Sequence, residues 1–147
     1  MAATTTRGTK NPSTTKLSLF NLLLPSFLRT LDCGFRYLFV IGFDLGDPYY
    51  DTEIGMKEIK DWFETYVTRV MRANGILVRL RLVRVNNSLK KPGPVFIEMA
   101  RAAYDMGSDY FYRVNDDTEL VVKWPKAFTK TLLHLSAPYG VVGPECA

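Results

Sequence analysis

Three acidic side chains stand within the stretch "NDDTE", residues 115–119, directly after the apolar run "YFYRV". Carboxylates this close together repel one another, so clustering them is unfavourable unless a cation shares the site. Mg²⁺ and Mn²⁺ prefer oxygen ligands, and proteins commonly share these ions with the phosphates of a substrate. The stretch therefore predicts one of two things: a carboxylate–metal–diphosphate site with Mn²⁺ or Mg²⁺ as cofactor, or a solvated turn that caps the following helix.

The composition is that of one globular domain. The 147 residues are 47% hydrophobic and 23% charged, which allows one sizeable core but not two ordinary domains. The net charge of +4 is compatible with binding phosphates. Because the basic residues lack interleaved aromatics, no nucleic-acid partner is predicted. Cys33, Cys146 and the single His134 have no metal-ligand spacing, and no apolar run is long enough to predict a transmembrane segment.

Strand-like segments lead up to the acidic stretch. The run "FRYLFVIGFD", residues 35–44, is apolar without alternation, as in a parallel strand covered on both faces. The run "ILVRLRLVRV", residues 76–85, alternates, which predicts a half-covered strand near the sheet edge. Further strands are predicted at "DYFYRV", residues 109–114, and at "YGVVGP", residues 139–144.

Helical segments separate these strands. One is predicted at residues 17–31, and another begins after the capping residue Asp51 and stops at Asn74. The stripe of this second helix comprises Ile59, Trp62, Phe63, Tyr66, Val67, Val70 and Met71. A third helix has the stripe Phe96, Met99, Ala100, Ala103 and Tyr104, and a fourth has Pro125 in its first turn. Strands separated by such helices pair in parallel, so the predicted class is α/β with a Rossmann-like, doubly wound, mostly parallel sheet.

The acidic residues follow the carboxyl ends of predicted strands. Asp44 closes the strand at residues 35–44, and "NDDTE" follows the strand at residues 109–114. Ligands of doubly wound sheets bind at this edge, where helix N-termini already favour anions. Additional carboxylates there are unfavourable unless a cation accompanies them.

The chain also resembles a known family. "GSDYFYRVNDDTEL", preceded by a helix carrying "ARAAY" and followed by a Trp-led helix and "GVVGP", is similar to the nucleotide-sugar-binding half of GT-A fold glycosyltransferases, particularly family-2-like members. The resemblance runs from the first residues to Pro144 and is most specific over residues 86–144. It implies a metal-dependent transferase that takes a hexose-type sugar from a UDP- or GDP-linked donor. It also implies that the chain is a truncated donor-binding half, without the acceptor half or the general base.

The resemblance assigns roles to the acidic stretch residue by residue. Asn115 falls at the first Asp of the family's acidic motif, Asp116 in the middle, and Asp117 at the metal-binding position. Glu119 is a further candidate metal ligand. Asn115 departs from the family pattern, because an amide offers an oxygen without charge, and it is expected to bind the donor instead.

Five other positions are expected to contact the donor. "AATTTRGT" would form the end of a short first strand and a loop near the base, with Thr6 and Arg7 at the base or diphosphate. Asp44 would bind the base or ribose, or else form a turn. Lys91 would neutralise diphosphate charge or belong to a solvated basic loop, and Arg101 would reach the donor from its helix.

Several functional alternatives stay open on the sequence alone. A non-catalytic nucleotide-sugar-binding remnant fits the same residues. A phosphatase with an aspartate nucleophile fits worse, because Asn115 would occupy the nucleophile position. The Thr-rich, acid-free residues 1–16 also read as a flexible start or an organelle transit peptide, so the compartment, cytoplasm or secretory pathway, is not fixed.

Overall fold

The computed structural model of the protein describes residues 1–6, 8–135 and 140–143. In chain order its elements are β1 (Ala2–Ala3), a π-helical segment (Leu19–Leu23) that continues into α1 (Leu24–Thr30), β2 (Tyr37–Asp44), α2 (Glu53–Phe63), a second π-helical segment (Glu64–Thr68) that continues into α3 (Arg69–Ala73), β3 (Val78–Val85), α4 (Pro92–Asp105), β4 (Val114–Asn115) and α5 (Pro125–His134).

The four strands form one parallel sheet in the order β3–β2–β1–β4. β2 and β3 pair along their whole length, from Tyr37 opposite Val78 to Asp44 opposite Val85. β1 pairs only through Ala2 and Ala3, with β2 on one side and β4 on the other. The predicted α/β class with a parallel sheet is confirmed, and so is the edge position of the alternating strand β3.

Two separate buried clusters lie on the two faces of the sheet. On one face, α1, α2 and α3 pack on β2 through a cluster that includes Leu24, Ile59, Met71, Ile41 and Phe43. On the other face, α4 packs through Val95, Phe96, Met99 and Ala103 against Val40 and Val85. The chain therefore moves from β1 to β3 along one face and returns to β4 along the other, which is the doubly wound arrangement.

Gly42 allows α4 to approach β2 closely. A Cβ atom at this position would lie 2.6 Å from both Met99 Sδ and Val95 Cγ1. Because real Cβ atoms do not come this close to their neighbours, any larger residue would push the helix away from the sheet.

Three predictions about strands and caps are wrong. The second helix is capped by Thr52, whose Oγ1 accepts a hydrogen bond from Gly55 N at 2.9 Å, and not by Asp51. β4 contains only Val114 and Asn115, so residues 109–113 are not in a strand. β4 is short because its partner β1 offers only two residues for pairing. Residues 140–143 form no strand either, and the rest of the "YGVVGP" stretch lies outside the described residues.

The buried stripe of the second helix differs from the predicted one. Ile59, Phe63, Val67 and Met71 are buried at a spacing of four residues, whereas Tyr66 and Val70 are exposed. The π-helical segment Glu64–Thr68 explains the difference, because its wider turn keeps residues four apart on one face. Tyr104 in the last turn of α4 was also predicted to be buried and is exposed.

Candidate functional site

The carboxyl ends of β1 and β4 meet at the point where the strand order reverses. Ala3 lies opposite Gly42 of β2 and opposite Asn115 of β4, so the residues after β1 face the residues after β4. In doubly wound sheets this switch point opens a crevice outside the strand ends, where ligands bind. The acidic stretch therefore begins at the ligand-binding edge of the sheet.

A short hydrogen bond joins the two strand ends. Thr4 is buried after β1, its N–H donates to Gly42 O at 2.9 Å, and its Oγ1 donates to Asp116 Oδ2 at 2.6 Å. The two residues are 112 positions apart in the chain. Sequence reasoning placed donor contacts at the neighbouring Thr6 and Arg7 and missed Thr4, because no local pattern marks its partner.

The environment of Asp116 is unfavourable for a charge. Burial raises the pKa of its carboxyl group, and the neighbouring charge of Asp117 raises it further. The Thr4 hydroxyl and the backbone N–H groups of Asp116 and Thr5 oppose this rise by hydrogen bonding to the carboxylate. A cation near Asp116 would offset both the cost of burying its charge and the repulsion from Asp117.

The three motif positions, residues 115–117, lie in one tight turn but differ in exposure. Thr118 N donates to Asn115 O at 3.2 Å, which closes a turn over residues 115–118. Asn115 and Asp117 are exposed, whereas Asp116 is half-buried. Asp116 therefore points toward the chain's own donors, and Asp117 is accessible to a ligand from solvent.

Glu119 is engaged elsewhere. Its Oε1 pairs with Arg29 Nη2 of α1 at 3.1 Å, and both side chains are more than half exposed. Among the residues that the structure describes, no group of three His, Cys, Asp or Glu side chains could hold a metal ion. A divalent ion shared with a nucleotide needs only one or two protein carboxylates, since phosphates and water complete its coordination. Asp116 and Asp117 fit that requirement, and Glu119 would have to leave Arg29 to join them.

Asp47 fixes the loop that follows β1. Its Oδ2 accepts from both Thr6 N and Thr6 Oγ1 at 3.0 Å, and its Oδ1 accepts from Tyr49 N at 3.0 Å and Tyr50 N at 2.9 Å. The Thr6 hydroxyl is thereby committed to Asp47. The predicted contact residue Arg7 lies outside the described residues, as does Cys146, while Cys33 is exposed.

Asn87 links the predicted donor residue Asp44 to the loop before α4. Asn87 is buried, and its Nδ2 donates to Asp44 Oδ1 at 2.9 Å and to Lys91 O at 2.8 Å. Its own Oδ1 is buried without a partner among the described residues. Asp44 therefore combines a structural bond at one carboxylate oxygen with a position at the ligand-binding edge.

The start of α4 is poor in anion-binding groups. Pro92 and Pro94 have no N–H, so Gly93 is the one donor among the first three helical residues. Lys91 is exposed at the N-cap position and makes no side-chain capping bond. Positive charge for a phosphate at this helix would therefore have to come from a lysine side chain and not from the backbone.

Arg101 is not brought to this edge. It is the tenth residue of α4, about 14 Å along the axis from the start of the helix. Its Nη1 binds both carboxylate oxygens of Glu98, at 2.8 and 3.0 Å, on the exposed side of the helix. The structure thus groups Asp116 and Asp117 with Thr4, and holds Thr6 and Asp44 at the same edge.

A cavity lies at the opposite edge of the sheet. It has a volume of about 1020 Å³, and its walls include Tyr37 at the start of β2, Tyr112 just before β4, and Trp124 and Phe128 at the start of α5. Tyr112 and Trp124 stack with ring centroids 4.0 Å apart. The lining of this cavity is mostly apolar and includes no cluster of acids, so we place the candidate site at the carboxyl edge, where the charged groups converge.

Comparison of the chain with models of protein families, with curated proteins and with solved structures gave no match. None of the helices in the described part of the chain is long and apolar enough to cross a membrane.

Proposed function

We propose that the chain is a nucleotide-sugar-binding domain of the glycosyltransferase type, which binds a UDP- or GDP-linked sugar at the carboxyl edge of its sheet. The observation that carries the proposal is the 2.6 Å bond between Thr4 Oγ1 and Asp116 Oδ2. It joins the loop after β1, expected to lie near the base, to the acidic motif, expected to lie near the diphosphate. The bond supports the proposal because the two parts expected to form a nucleotide-diphosphate site would then lie next to each other.

Electrostatics support a ligand that brings a cation. Asp116 is half-buried beside Asp117, and both burial and this neighbour raise its pKa. Asp117 and Asp116 are the residues that would hold Mn²⁺ or Mg²⁺ together with the diphosphate, with Asn115 next to them as a neutral oxygen ligand for the donor. When bound, the ion would neutralise charge on the departing diphosphate. Asp44 and Lys91 would contact the remainder of the donor.

Isothermal titration tests this proposal. UDP and GDP are titrated into the protein with and without Mn²⁺, and we expect binding that depends on the ion. Asp117→Asn should weaken the Kd at least about tenfold, which corresponds to about 1.4 kcal/mol. Asp61→Asn is the matched control, because Asp61 is an exposed acid on α2 that pairs with Lys57. Absence of binding by the wild-type protein to both nucleotides in both conditions would contradict the proposal.

A second candidate function is nucleotide-sugar binding without transfer. Two observations favour it: Asn115 adds no charge to the motif, and Glu119 is paired with Arg29. Release of free nucleotide from a UDP- or GDP-linked sugar distinguishes the two functions. Mn²⁺-dependent binding without any release would support the non-catalytic domain, and measurable release would exclude it.

A further inference from the structure

The cavity at the amino edge of the sheet, where the strands begin, is a gap in the sheet itself. β1 pairs with β2 only through Ala2 opposite Ile41 and Ala3 opposite Gly42, so no described strand lies beside residues 37–39 on that side. The cavity, of about 1020 Å³, is lined by these residues and by residues 108–112, which precede β4. It therefore occupies the place that a longer β1 would fill.

The backbone of Leu38 points into this gap. Tyr37 N donates to Leu77 O, and Thr4 N donates to Gly42 O, both at 2.9 Å. Because neighbouring residues of a strand direct their N–H and C=O groups to opposite sides, the odd-numbered residues of β2 face β3 and the even-numbered ones face β1. The N–H and C=O of Leu38 therefore face the gap, where no described strand pairs with them. Another strand is the partner that matches both groups.

The opposite wall of the gap has the composition of a strand without being one. The run "YFYRV", residues 110–114, is rich in the aromatic residues that favour strands. Only Val114 of this run pairs, because β1 reaches no further. Met1 N donates to Tyr112 O at 2.7 Å, which marks the inner end of the gap. A strand placed in the gap would pair with this run as well as with Leu38, and would lengthen β4.

Apolar side chains line the gap on both faces of the sheet. Phe27, Phe39 and Trp124 lie on the face of α1 and α5, and Ala103 and Met106 lie at the end of α4 on the other face. Since the side chains of a strand alternate between the two faces, a segment with apolar residues at successive positions contacts both walls. An acyl chain could contact the same walls but has no groups to pair with the backbone of Leu38.

The charge of the lining favours an acidic occupant. Arg36 directly precedes β2, and Arg79 lies opposite Leu38 in β3. Both arginines line the cavity and are exposed, and neither forms an ion pair with another described residue. Asp109 is the one acidic residue in the described lining. An acidic side chain where the occupant leaves the sheet would therefore be attracted to the two arginines.

We propose that this gap binds the extended carboxyl-terminal tail of a partner polypeptide, an acidic residue followed by three apolar ones, which joins the sheet as a continuation of β1. The register of β1 places the last residue of the tail opposite Phe39 and the acidic one opposite Arg36. Met1 closes the gap, so the tail ends there. Main-chain hydrogen bonds supply the affinity in strand addition of this kind, and alternate side chains supply the specificity. The tail site lies at the edge opposite the acidic motif and is independent of nucleotide binding.

Hydrogen exchange followed by NMR tests the proposal with the peptide acetyl-Ser-Glu-Ile-Val-Ile, which ends in a free carboxylate. At saturating peptide, the amide protons of Leu38 and Tyr112 should exchange about tenfold more slowly, because each gains a carbonyl partner. The amide proton of Phe39 is the internal control, since it faces β3 and its exchange rate should stay unchanged. Binding that leaves the Leu38 amide unprotected would mean apolar filling of the cavity and would overturn the proposal.

Two methylated peptides separate strand pairing from hydrophobic contact. Methylation of the last peptide nitrogen removes the N–H that faces Leu38 O, and the Kd should weaken about tenfold. Methylation of the Ser nitrogen, which lies beyond the start of β2, adds the same group and should leave the Kd unchanged. Equal affinity of the two methylated peptides would overturn the proposal.

A charge reversal tests the acidic position of the tail. Arg36→Glu should weaken the Kd of the peptide about threefold, a modest loss because the arginine is exposed. Arg72→Glu is the matched control, because Arg72 is an exposed arginine of α3 outside the cavity lining, and its Kd should equal that of the wild type. An equal loss in both variants would overturn the assignment of the acid. Absence of peptide binding, or Leu38 protection that rises with protein concentration without peptide, would overturn the proposal, the latter in favour of a second copy of the chain.

Discussion

Two acidic turns at the same edge of the sheet are built in opposite ways. In the turn after β2, Asp47 accepts four hydrogen bonds from Thr6, Tyr49 and Tyr50. In the turn after β4, Asp116 lies beside the like charge of Asp117, and Asp117 is open to solvent. The four bonds satisfy the carboxylate of the first turn, whereas the hydrogen bonds that Asp116 accepts in the second turn do not offset its burial and the charge of Asp117.

Asp51 and Asp116 show the same contrast between an acid that the fold neutralises and one that it does not. Its Oδ2 accepts from Gly46 N at 2.7 Å and from Arg84 Nη2 at 3.0 Å, and its side chain is 4% exposed. The Gly46 N–H and the Arg84 guanidinium lower the pKa of Asp51 by more than burial raises it, so its pKa lies below the usual value. Burial raises the pKa of Asp116. A buried acid that the fold neutralises serves stability, whereas one left unneutralised is a candidate for ligand binding.

The largest expected effect is the loss of stability that follows when the turn held by Asp47 is disrupted. Asp47→Ala leaves the N–H groups of Tyr49 and Tyr50, as well as the N–H and hydroxyl of Thr6, without their acceptor. Unpaired buried donors cost about 1–3 kcal/mol each, so we expect the free energy of unfolding to fall by about 3 kcal/mol or more. Urea unfolding followed by circular dichroism measures this loss. A decrease smaller than about 1 kcal/mol would show that the two turns do not differ in the way described.

A smaller loss of stability, which depends on pH, is expected when Asp51 is replaced. Its folded pKa lies below the unfolded value of 3.8, so its ionised form stabilises the fold above that value, and this stabilisation is lost as the pH falls through the folded pKa. Asp51→Asn should therefore be about 1 kcal/mol less stable than the wild type at pH 7, a modest value because Arg84 is more than half exposed. Urea midpoints at pH 7 and at pH 2 measure the difference, which should be smaller at pH 2. A constant difference between the two pH values would contradict the expectation.

The smallest effect on stability is expected at Asp116, and it has the opposite sign. The folded pKa lies above the unfolded value of 3.8, so the wild type loses stability as the pH rises from that value through the folded pKa. Asp116→Asn avoids this loss and should be more stable by about 0.5 kcal/mol at pH 7, with no gain at pH 3, in metal-free buffer. The same urea titrations measure it. A clear destabilisation at pH 7 would mean that Asp116, like Asp47, serves the fold.

The parts of the fold that could be predicted from the sequence are those set by the local pattern of apolar and polar residues. The unbroken apolar run of β2, the alternation of β3 and the stripe of α4 each follow from local periodicity. Their order in a parallel sheet followed from the helices between them. The π-helical segment Glu64–Thr68 was not predicted, because it changes the period within one continuous helix.

The site was predictable only in its exposed half. Asp116 and Asp117 are adjacent in the chain, so their clustering was visible in the sequence. The partners are distant: Thr4 lies 112 positions from Asp116, Thr6 lies 41 positions from Asp47, and Arg29 lies 90 positions from Glu119. Asp47 was visible as a turn residue before Pro48, but its bonds to Thr6 depend on how β1 and β2 are paired.

The central place of β1 has a consequence for biosynthesis. β1 comprises Ala2 and Ala3 but lies between β2 and β4, and the bond from Thr4, directly after β1, to Asp116 spans 112 positions of the chain. A nascent chain emerging from the ribosome can assemble β2 and β3 early, while Thr4 waits for Asp116 to be translated. The crevice at the carboxyl edge of the sheet is thus completed only after Asp116 has been translated.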